Sequence, residues 1–486
     1  MDTGKIIGLS ILGAFILLII FMIFRSLLIR RPKPEQTDYS PRFIEQEKVV
    51  AHMIEAIQFE TITLPNNEIE NNIFLEYHSF LERTYPLIMQ KAEKTIINRY
   101  SVIYKYLGSD ENLLPVALLA HQDVVPAPDE GWEFPPFSGH LTEDGYIYGR
   151  GSQDMKSQMI SALEGLEILL AEGKIPKRTI YFCFGHDEEL GGRYGAKKIV
   201  EFFKEKKIRF EYVLDEGGAI IDGKIMGIDN KIALVGTCEK GYADITLEAI
   251  KEGGHASTPT RRTAVGLLSE AVFKLEKNQM RPYFSQPVKE MLRDIAPFMN
   301  PFFKFAIANR DILSPLLKKV LTLASPFTNC IVRTTIAPTQ LFGATTPNTL
   351  PSKAKANVNC RLNTGETIEK LISHIQKVVG KNISVKADDK SKNPSPVSNT
   401  DCDAFRAIRK TVYEAFDGFI MAPYPFIATS DSAYYHQVSD NVYRFTPLLK
   451  EESDANRIHG KNERITVDML VTATRFFVRL YENTCL

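Results

Sequence analysis

The sequence predicts an α/β protein: a mixed β-sheet covered by helices, with an inserted α+β domain and an apolar N-terminal helix. Between residues 116 and 218, near-continuous apolar stretches alternate with helical patterns, as they do in parallel or mixed sheets that are covered on both faces. From about Glu239 the chain changes to a compact series of strands and helices of its own. At 486 residues it is long enough for two or three globular units. We therefore expect four segments: a transmembrane signal anchor (6–24), the first part of the main domain (42–238), the insert (239–390) and the second part of the main domain (391–486).

The first segment is a run of nineteen residues without a charge, from Ile6 to Phe24. A helix of about 20 such residues spans a bilayer. No small-residue cleavage site follows the run. The basic stretch RSLLIRRPKP comes instead, which favours an uncleaved signal anchor over a removed signal peptide or a hydrophobic arm. The lipid bilayer is therefore an expected partner of this chain.

The charges around this segment favour opposite orientations in a membrane. Four basic residues follow the apolar run: Arg25, Arg30, Arg31 and Lys33. Only Lys5 and the α-amine precede it, so the positive-inside rule favours a cytosolic body. The glycosylation sequon at Asn382 favours the other side of the membrane.

Each element of the main domain follows from its own pattern. A helix is expected from about Gln46, and SQMISALEGLEILLAEG (157–173) has helical apolar spacing. Three apolar strands end in polar residues: VALLAHQDVV (116–125), TIYFCFGHDEE (179–189) and FEYVLDEGG (210–218). Ligands of such sheets gather beyond the carboxyl ends of the strands, which is where the acidic clusters of this sequence occur.

The insert has a different order of elements. The strand GYADITLEAI is followed by a helix through the 260s and 270s, by the strands IVRTTIAPTQ and KAKANVNCRL, by the helix ETIEKLISHIQKVVG and by the strand NISVKA. The Ser-, Asn- and Pro-rich KSKNPSPVSNTD forms its exit linker. An apolar stretch interrupted by prolines (281–327) is expected to pack within the insert or at a dimer interface.

Charge and cysteine content exclude two classes of protein. Lys plus Arg and Asp plus Glu number 59 each, and neither sign forms blocks, so no nucleic-acid-binding surface is indicated. The six cysteines are scattered without CxxC spacing. This argues against a disulfide framework and against a thiolate zinc site.

Two histidines and several acids follow the predicted strands. His121 and Asp123 stand two apart at a strand end, where an Asp can accept the second ring N–H of the His and fix its tautomer for metal binding. The other acids and the second His occur in turns or at later strand ends: Asp154, Glu188, Glu189, Asp215, Glu216 and His459. Because adjacent residues on a strand face opposite ways, we expect one member of each acidic pair to reach a given centre.

Imidazole and carboxylate groups without a thiolate suit zinc, cobalt or manganese in an open catalytic site. A shared carboxylate can bridge two ions about 3.5–4 Å apart, and a carboxylate that is not a ligand can act as general base on water. A surface His–Asp pair or a helix-capping Asp would explain each residue alone, but not their common location at one edge of a sheet.

Seven motifs occur along the chain in this order: LLAHQDVVPAP, GWEFPPFSG, YGRGSQDMK, GHDEELGG, LDEGG, GGHASTP and RIHGKNERI. In this order and spacing they resemble those of the co-catalytic zinc metallopeptidases, a family that includes aminoacylase, carboxypeptidase S and the N-fatty-acyl-amino acid synthase/hydrolase. The resemblance covers about residues 45 to 480, and is nearest to the branch of the last two. It implies a mixed-sheet zinc-peptidase catalytic domain with an inserted lid or dimerisation domain.

The resemblance also implies roles for the acidic cluster. Two zinc ions per subunit would be bridged by Asp154, with His121 and Asp215 completing one site and Glu189 and His459 the other. Glu188 would be the general base, and Asp123 would orient His121. Relatives differ in whether the residue at position 215 or at position 216 is the ligand, and we expect Asp215.

Three residues of the insert match family positions as well. His255 in GGHASTP corresponds to a histidine that stabilises the tetrahedral oxyanion, often across a dimer, so a homodimer is expected. Arg361 and Asn348 correspond to residues that bind the free α-carboxylate of the substrate, Arg361 through its planar fork and Asn348 by donating beside it. The loop TSDSAYYH (429–436) also matches a loop near the active site.

These inferences predict a dinuclear zinc hydrolase that cleaves the amide bond N-terminal to an amino acid with a free carboxylate. Its small-molecule substrate would be an N-acyl or N-fatty-acyl amino acid, with synthesis as the reverse reaction, and residues 281–327 could then form a channel for a long acyl chain. The alternative is a carboxypeptidase S-like enzyme that acts on short peptides. A non-catalytic binding protein would lack a ligand or the base, and none is missing; a structural membrane protein would bind no metal.

The apolar run 6–24 predicts a single-pass membrane protein. Because members of the family that it resembles are secreted or vacuolar, we expect its catalytic body to be extracellular or in the lumen of the vacuole or secretory pathway.

Overall fold

The computed structural model describes residues 3–31, 39–40, 42–65, 72–449, 454 and 456–486. The chain divides into two compact units. The larger unit comprises Lys33–Thr237, Ser398–Phe426 and Ser430–Leu486, and the smaller unit comprises Met1–Pro32, Cys238–Val397 and Ile427–Thr429. The apolar N-terminal helix therefore belongs to the same unit as the residues after Cys238.

The helices of the described residues are, in chain order, α1 (Thr3–Leu28), α2 (Gln46–Gln58), α3 (Ile73–Thr84), α4 (Pro86–Met89), α5 (Lys156–Ala171), α6 (Ala196–Glu205), α7 (Ala264–Lys277), α8 (Gln286–Ile295), α9 (Pro301–Ala308), α10 (Ser314–Ala324), α11 (Pro326–Val332), α12 (Ile368–Val379), α13 (Asp403–Ala415) and α14 (Val467–Thr484).

The strands are β1 (Ala92–Ile97), β2 (Ser101–Tyr106), β3 (Val116–His121), β4 (His140–Leu141), β5 (Tyr146–Tyr148), β6 (Ile180–Gly185), β7 (Tyr212–Asp215), β8 (Ala219–Asp222), β9 (Lys231–Glu239), β10 (Gly241–Ile250), β11 (Gly254–His255), β12 (Thr335–Phe342), β13 (Thr349–Leu350), β14 (Lys353–Leu362), β15 (Ser384–Ala387), β16 (Ile420–Phe426), β17 (Val442–Arg444) and β18 (Arg464–Thr466).

The larger unit is built on a mixed sheet of nine strands in the order β1-β2-β6-β3-β7-β17-β9-β16, with β8 beside β9. β3 runs parallel to β6 and β7, and β7 runs parallel to β17. β2 pairs antiparallel with β1 and β6. Every residue of β3, β6 and β7 is buried, as expected for strands that helices cover on both faces. The predicted α/β fold with a mixed sheet is confirmed.

Helices pack on both faces of this sheet. On one face, α5 lies against β3, α2 and α14, and its side chains are buried along nearly the whole helix. On the other face, α6 and the segment Asp431–Gln437 pack against the sheet through residues such as Phe203 and Tyr435. The sequence predicted α5 from its apolar spacing over 157–173, within two residues of its observed ends.

The smaller unit contains an antiparallel sheet in the order β12-β14-β10-β15. Residues alternate between buried and exposed along β10 and β14, because one face of the sheet packs against α7 and α12 and the other does not. The apolar stretch 281–327 forms α8, α9, α10 and the start of α11. The predicted strands and helices of the insert are all present.

The N-terminal helix α1 is long and apolar enough to cross a membrane. Near its C-terminal end α1 contacts α9 of the same unit, and Met22 is buried there, whereas most apolar side chains of α1 are exposed. This is the only such helix among the described residues.

All six cysteines are free thiols. Cys183, Cys238, Cys360 and Cys485 are buried, and the other two are partly buried. The expectation of isolated thiols without a disulfide framework is confirmed.

Candidate metal centre

Parallel strands bring the predicted acids to one edge of the main sheet. His121 is the last residue of β3, Asp215 is the last residue of β7, and Glu188 and Glu189 form a short 3-10 helix soon after β6. Because β6, β3 and β7 are neighbours and parallel, their carboxyl ends meet at the same edge.

The carboxylate of Asp154 lies between two imidazoles. Its Oδ1 is 2.9 Å from His121 Nε2, and its Oδ2 is 3.1 Å from His459 Nε2. Two groups of possible ligand atoms share this carboxylate, and within each group the atoms lie within 4.8 Å of one another: His121, Asp154 and Glu216 in the first, and Asp154, Glu189 and His459 in the second.

A bond to Asp123 fixes the ring of buried His121. His121 Nδ1–H donates to the main-chain carbonyl of Asp123 at 2.8 Å, which directs Nε2 towards Asp154. The carboxylate of Asp123 is farther from Nδ1, at 3.5 Å, and accepts the main-chain N–H groups of Glu188 and Glu189 at 3.1 Å each. Asp123 therefore orients His121 through its carbonyl, and its side chain holds the turn that carries the two glutamates.

The choice of Asp215 as a member of the first group is corrected by the geometry. Glu216 Oε1 lies 3.5 Å from His121 Nε2. The Asp215 carboxylate is directed elsewhere, since Oδ1 accepts the main-chain N–H of Glu216 and Oδ2 that of Ser432, both at 2.8 Å. Adjacent residues at a strand end face opposite ways, and here the second of the pair reaches the cluster.

Glu189 and Glu188 occupy different positions in the cluster. Glu189 Oε2 is 3.1 Å from His459 Nε2, and its other oxygen, Oε1, is buried without a hydrogen-bond partner among the residues that the structure describes. Glu188 belongs to neither group. Its partly buried side chain lies close enough to Glu216 and His121 to respond to their charges.

The electrostatics of the cluster show an excess of buried negative charge. Burial and the charge of Glu216 raise the pKa of Glu188 well above its ordinary value, and burial and Asp154 do the same for the pKa of Glu216. Burial opposes the ionisation of Asp154, but hydrogen bonds from His121 and His459 outweigh it and lower its pKa. Bonds to Asp154 and Glu189 raise the pKa of His459 to about 10.

A divalent cation fits this arrangement. It would offset the repulsion between the carboxylates and give Glu189 Oε1 a partner. The possible ligand atoms of the two groups are imidazole nitrogens and carboxylate oxygens, without a thiolate sulfur. Such ligands are typical of catalytic rather than structural zinc sites.

The turn that carries Asp154 is held by residues that the sequence did not identify. Glu463 Oε1 accepts the main-chain N–H of Gln153 at 2.8 Å and that of Asp154 at 3.2 Å. Glu463 Oε2 accepts from Arg150 Nη1 at 2.6 Å, and both side chains are buried. Glu463 belongs to the motif RIHGKNERI, which also contains His459. This shared motif was the sequence signal that could have indicated a role for Glu463 at the site.

Asp431 is a second residue that the sequence did not identify. Its buried carboxylate lies close to the backbone of Gly185 and Gly192. A Cβ atom added to Gly185 would lie 2.6 Å from Asp431 Oδ2, and one added to Gly192 would lie 2.1 Å from Asp431 Oδ1. The glycines of GHDEELGG therefore make room for the loop TSDSAYYH. Burial and Asp215 raise the pKa of Asp431 well above its ordinary value.

Asp187, the first of three consecutive acids, lies outside the cluster. Its Oδ2 accepts the main-chain N–H of Tyr194, and its Oδ1 that of Gly195, both at 2.7 Å. These groups immediately precede α6. Asp187 thus satisfies N–H groups at the start of a helix, as acids there commonly do.

Arg361 lies on β14 in the smaller unit. Its guanidinium stacks over the ring of Tyr242 at 4.8 Å, and Nη1 is buried without a hydrogen-bond partner among the described residues. Burial lowers its pKa. A partly buried guanidinium with an unused donor is suited to binding a carboxylate.

His255 and Asn348 lie together, and far from Arg361. His255 pairs with Thr349 across β11 and β13, and the main-chain N–H of Ala256 donates to Asn348 O at 3.0 Å. This ribbon continues β10 and β14 beyond Lys353. Arg361 is eight residues from Lys353 on β14, or about 26 Å along the strand. The expectation that Asn348 donates beside Arg361 is therefore wrong within one chain, because the length of β14 separates them along the ribbon.

A sequence model of peptidase family M20/M25/M40 matches residues 117–483. The chain is 36% identical over 444 residues to N-fatty-acyl-amino acid synthase/hydrolase PM20D1 of Xenopus tropicalis, covering 90% of this chain and 86% of the relative. It is 32% identical over 493 residues to probable carboxypeptidase S-like 2 of Dictyostelium discoideum, covering 99% and 94%. Among solved structures, the M20 family metallo-carboxypeptidase Sso-CP2 of Sulfolobus solfataricus has the same fold, with a TM-score of 0.64 at 16% identity, over 90% of this chain and 99% of that one.

Proposed function

The chain belongs to peptidase family M20/M25/M40, and from this membership we propose that it is a dinuclear zinc hydrolase that cleaves the amide bond on the N-terminal side of an amino acid with a free carboxylate. It is an enzyme, since the family model covers the whole main sheet from β3 onward and its relatives are hydrolases and peptidases by name. The observation that carries the proposal is the Asp154 carboxylate, which has an imidazole 2.9 Å from one oxygen and another 3.1 Å from the other.

The two groups around Asp154 would hold the two zinc ions. His121 and Glu216 would complete one site, and Glu189 and His459 the other. When bound, the ions would supply positive charge that polarises an amide carbonyl and makes a water molecule more acidic. The hydrogen bond from His121 Nδ1 to Asp123 supports this role, because it directs Nε2 towards the shared carboxylate.

Glu188 would move the proton. Its carboxylate joins neither ligand group, and the main-chain bonds from its own N–H and that of Glu189 to Asp123 hold it at the edge of the cluster. A Glu188 oxygen would accept the proton of the attacking water and then give it to the amine nitrogen that leaves. With a high concentration of free acid and amino acid, the same steps in reverse would make the amide.

The smaller unit would supply the groups that recognise the substrate. Arg361 would bind the free carboxylate through Nη1, with Tyr242 holding the guanidinium plane. His255 would stabilise the oxyanion and Asn348 would assist substrate binding. About 26 Å of β14 separates Arg361 from Lys353, where the end of the ribbon that bears His255 begins. For this reason we propose that His255 and Asn348 serve the site of a second copy in a homodimer.

Two substrate classes are compatible with these groups. The 36% identity to an N-fatty-acyl-amino acid synthase/hydrolase favours an N-acyl or N-fatty-acyl amino acid. The 32% identity to a carboxypeptidase S-like protein keeps short peptides as the alternative.

A release assay distinguishes the two classes. The purified protein is given N-oleoyl-phenylalanine, N-acetyl-phenylalanine and benzyloxycarbonyl-Gly-Leu, and the free amino acid is measured. Preference for the oleoyl compound supports the fatty-acyl function, and preference for the blocked dipeptide supports the carboxypeptidase. Preference for the acetyl compound would contradict a long-chain substrate, and no release from any of them would contradict the hydrolase.

We propose that α1 is a signal anchor and that the catalytic body is extracellular or in the lumen of the vacuole or secretory pathway. The length and apolar character of α1 support the anchor, and Asn382 is exposed in a turn before β15, as glycosylation requires. This orientation predicts that the chain is glycosylated at Asn382 and therefore migrates more slowly on a denaturing gel. Treatment with peptide-N-glycosidase, or the substitution Asn382→Gln, should abolish this shift. An unglycosylated chain that protease degrades from the cytosolic side would contradict it.

A further inference from the structure

The C-terminal end of α1 is attached to the smaller unit by specific bonds. Arg25 forms a two-point ion pair with Asp311, at 2.8 and 2.9 Å. Asn309 Nδ2 donates to the carbonyl of Met22 at 3.0 Å. Asn309 and Asp311 belong to the short connection between α9 and α10. This connection therefore lies where the apolar helix ends.

A cavity of about 380 Å³ lies beside this attachment. This volume falls in the range of small-molecule sites. Four arginines line the cavity together with apolar side chains: Arg25, Arg30, Arg293 and Arg310, with Leu28 and Ile307. It thus combines concentrated positive charge with an apolar wall.

The arginines of the cavity are only partly neutralised. Arg25 is paired with Asp311, and Arg293 Nε donates to Asp294 at 2.9 Å. The guanidinium groups of Arg30 and Arg310 donate no hydrogen bond to any residue that the structure describes. Planar guanidinium groups with unused donors match the oxygens of a phosphate group.

Exposed apolar side chains on α9 and α10 are a separate observation. Leu316, Val320 and Leu323 are exposed on α10 at positions i, i+4 and i+7, so they form one apolar stripe on the helix surface. Phe302 on α9 is 74% exposed and Leu323 is 75% exposed. An amphipathic helix that turns an apolar stripe and neighbouring lysines outward is typical of a helix lying in a membrane interface.

We propose that the cavity binds the phosphate group of an anionic phospholipid at the point where α1 leaves the bilayer, with α9 and α10 in the interface. Arg30 and Arg310 bind the phosphate oxygens, and Leu28 and Ile307 contact the first carbons of the lipid. The enzyme is then attached at two places, which limits rotation of the smaller unit about α1. The inference rests on the proposed anchor and is independent of the proposed chemistry.

The test is native mass spectrometry of the full-length protein in detergent, titrated with phosphatidic acid. The variant Arg30→Gln/Arg310→Gln removes two charges that make no hydrogen bond in the described structure, so it keeps the fold. We expect it to bind the lipid about tenfold or more weakly than wild type. The matched control, Arg209→Gln/Arg406→Gln, removes two exposed arginines of the larger unit and binds as wild type.

A second measurement places the surface in the membrane. In nanodiscs with brominated phospholipids, a tryptophan introduced by Leu323→Trp is quenched more than one introduced by Phe342→Trp, an exposed position on β12. Equal lipid binding by the Arg30/Arg310 variant and wild type would overturn the proposal. So would displacement of the lipid by a hundredfold excess of inorganic phosphate, or equal quenching at positions 323 and 342.

Discussion

Glu463 accepts the main-chain N–H of Asp154 at 3.2 Å through Oε1. Glu463, four residues after His459, therefore holds the turn that carries Asp154, whose carboxylate lies between the two histidines. Its other oxygen pairs with Arg150 inside the protein. This buried pair supports the site without belonging to it.

Replacing Glu463 by Gln should destabilise the larger unit. The change leaves Arg150 as an unpaired buried charge, which costs about 3–5 kcal/mol in the free energy of unfolding. The melting temperature, measured by circular dichroism, should fall accordingly. Glu201→Gln breaks an exposed pair with Lys198 and should change the stability by less than about 1 kcal/mol. Equal melting temperatures for the two variants would show that the buried pair does not support the turn.

Replacing Glu188 by Gln should remove the proton carrier while leaving the ligand groups intact. We expect kcat for amino acid release to fall by a factor of about 10²–10⁴, with KM and metal content close to wild type. Glu143→Gln, at an exposed loop position, serves as the control. If the Glu188 variant turned over at the wild-type rate, another group would have to move the proton.

Mixing two inactive variants tests whether His255 acts across a dimer. His255→Ala and Glu188→Gln chains, co-expressed in equal amounts, form hybrid dimers in which one site has Glu188 from one chain and His255 from the other. About a quarter of the wild-type activity should return, because half of the dimers are hybrid and half of their sites are complete. Activity that stays at the sum of the two single variants would place His255 in the site of its own chain or outside the reaction.

The stability of the larger unit should depend on pH through His78. Burial lowers the pKa of His78 to about 4, and its Nε2–H donates to Gln122 Oε1 at 2.7 Å. Below the unfolded pKa of about 6.5 the unfolded chain takes up a proton that the folded chain does not, so stability falls as the pH drops from about 6.5 towards 4. Between pH 7 and pH 5 this amounts to about 2 kcal/mol.

The variant His78→Gln isolates this contribution. Its melting temperature should fall less than that of wild type between pH 7 and pH 5, because the titrating group is gone while the other groups are shared. The same fall in both proteins would mean that His78 takes up its proton in the folded state.

Patterns local to one strand or helix were sufficient to predict the architecture. The apolar runs of β3, β6 and β7 identified the sheet, and the polar residues after each run identified the edge at which His121 and Glu189 meet Asp154. These predictions needed only the period of the elements and the rule that parallel strands end at the same edge.

Contacts between distant residues could not be predicted in this way. The sequence shows two acids at the end of β7 but not which of them faces His121, because this depends on where the strand ends. The role of Glu463 depends on a hydrogen bond to a turn about 310 residues earlier. The separation of Asn348 from Arg361 depends on the length of β14, which lies between them along the ribbon. The attachment of α1 to Asp311 has no local signal.

The ratio of zinc to protein shows whether two zinc ions share Asp154. Inductively coupled plasma mass spectrometry of the purified full-length protein should give about two zinc ions per chain. The ratio should fall to about one in Glu216→Gln and stay near two in Asp215→Asn, because only Glu216 lies with His121 and Asp154. Wild-type protein without stoichiometric divalent metal would contradict the proposed dinuclear site, and loss of zinc from Asp215→Asn but not from Glu216→Gln would contradict the assigned ligands.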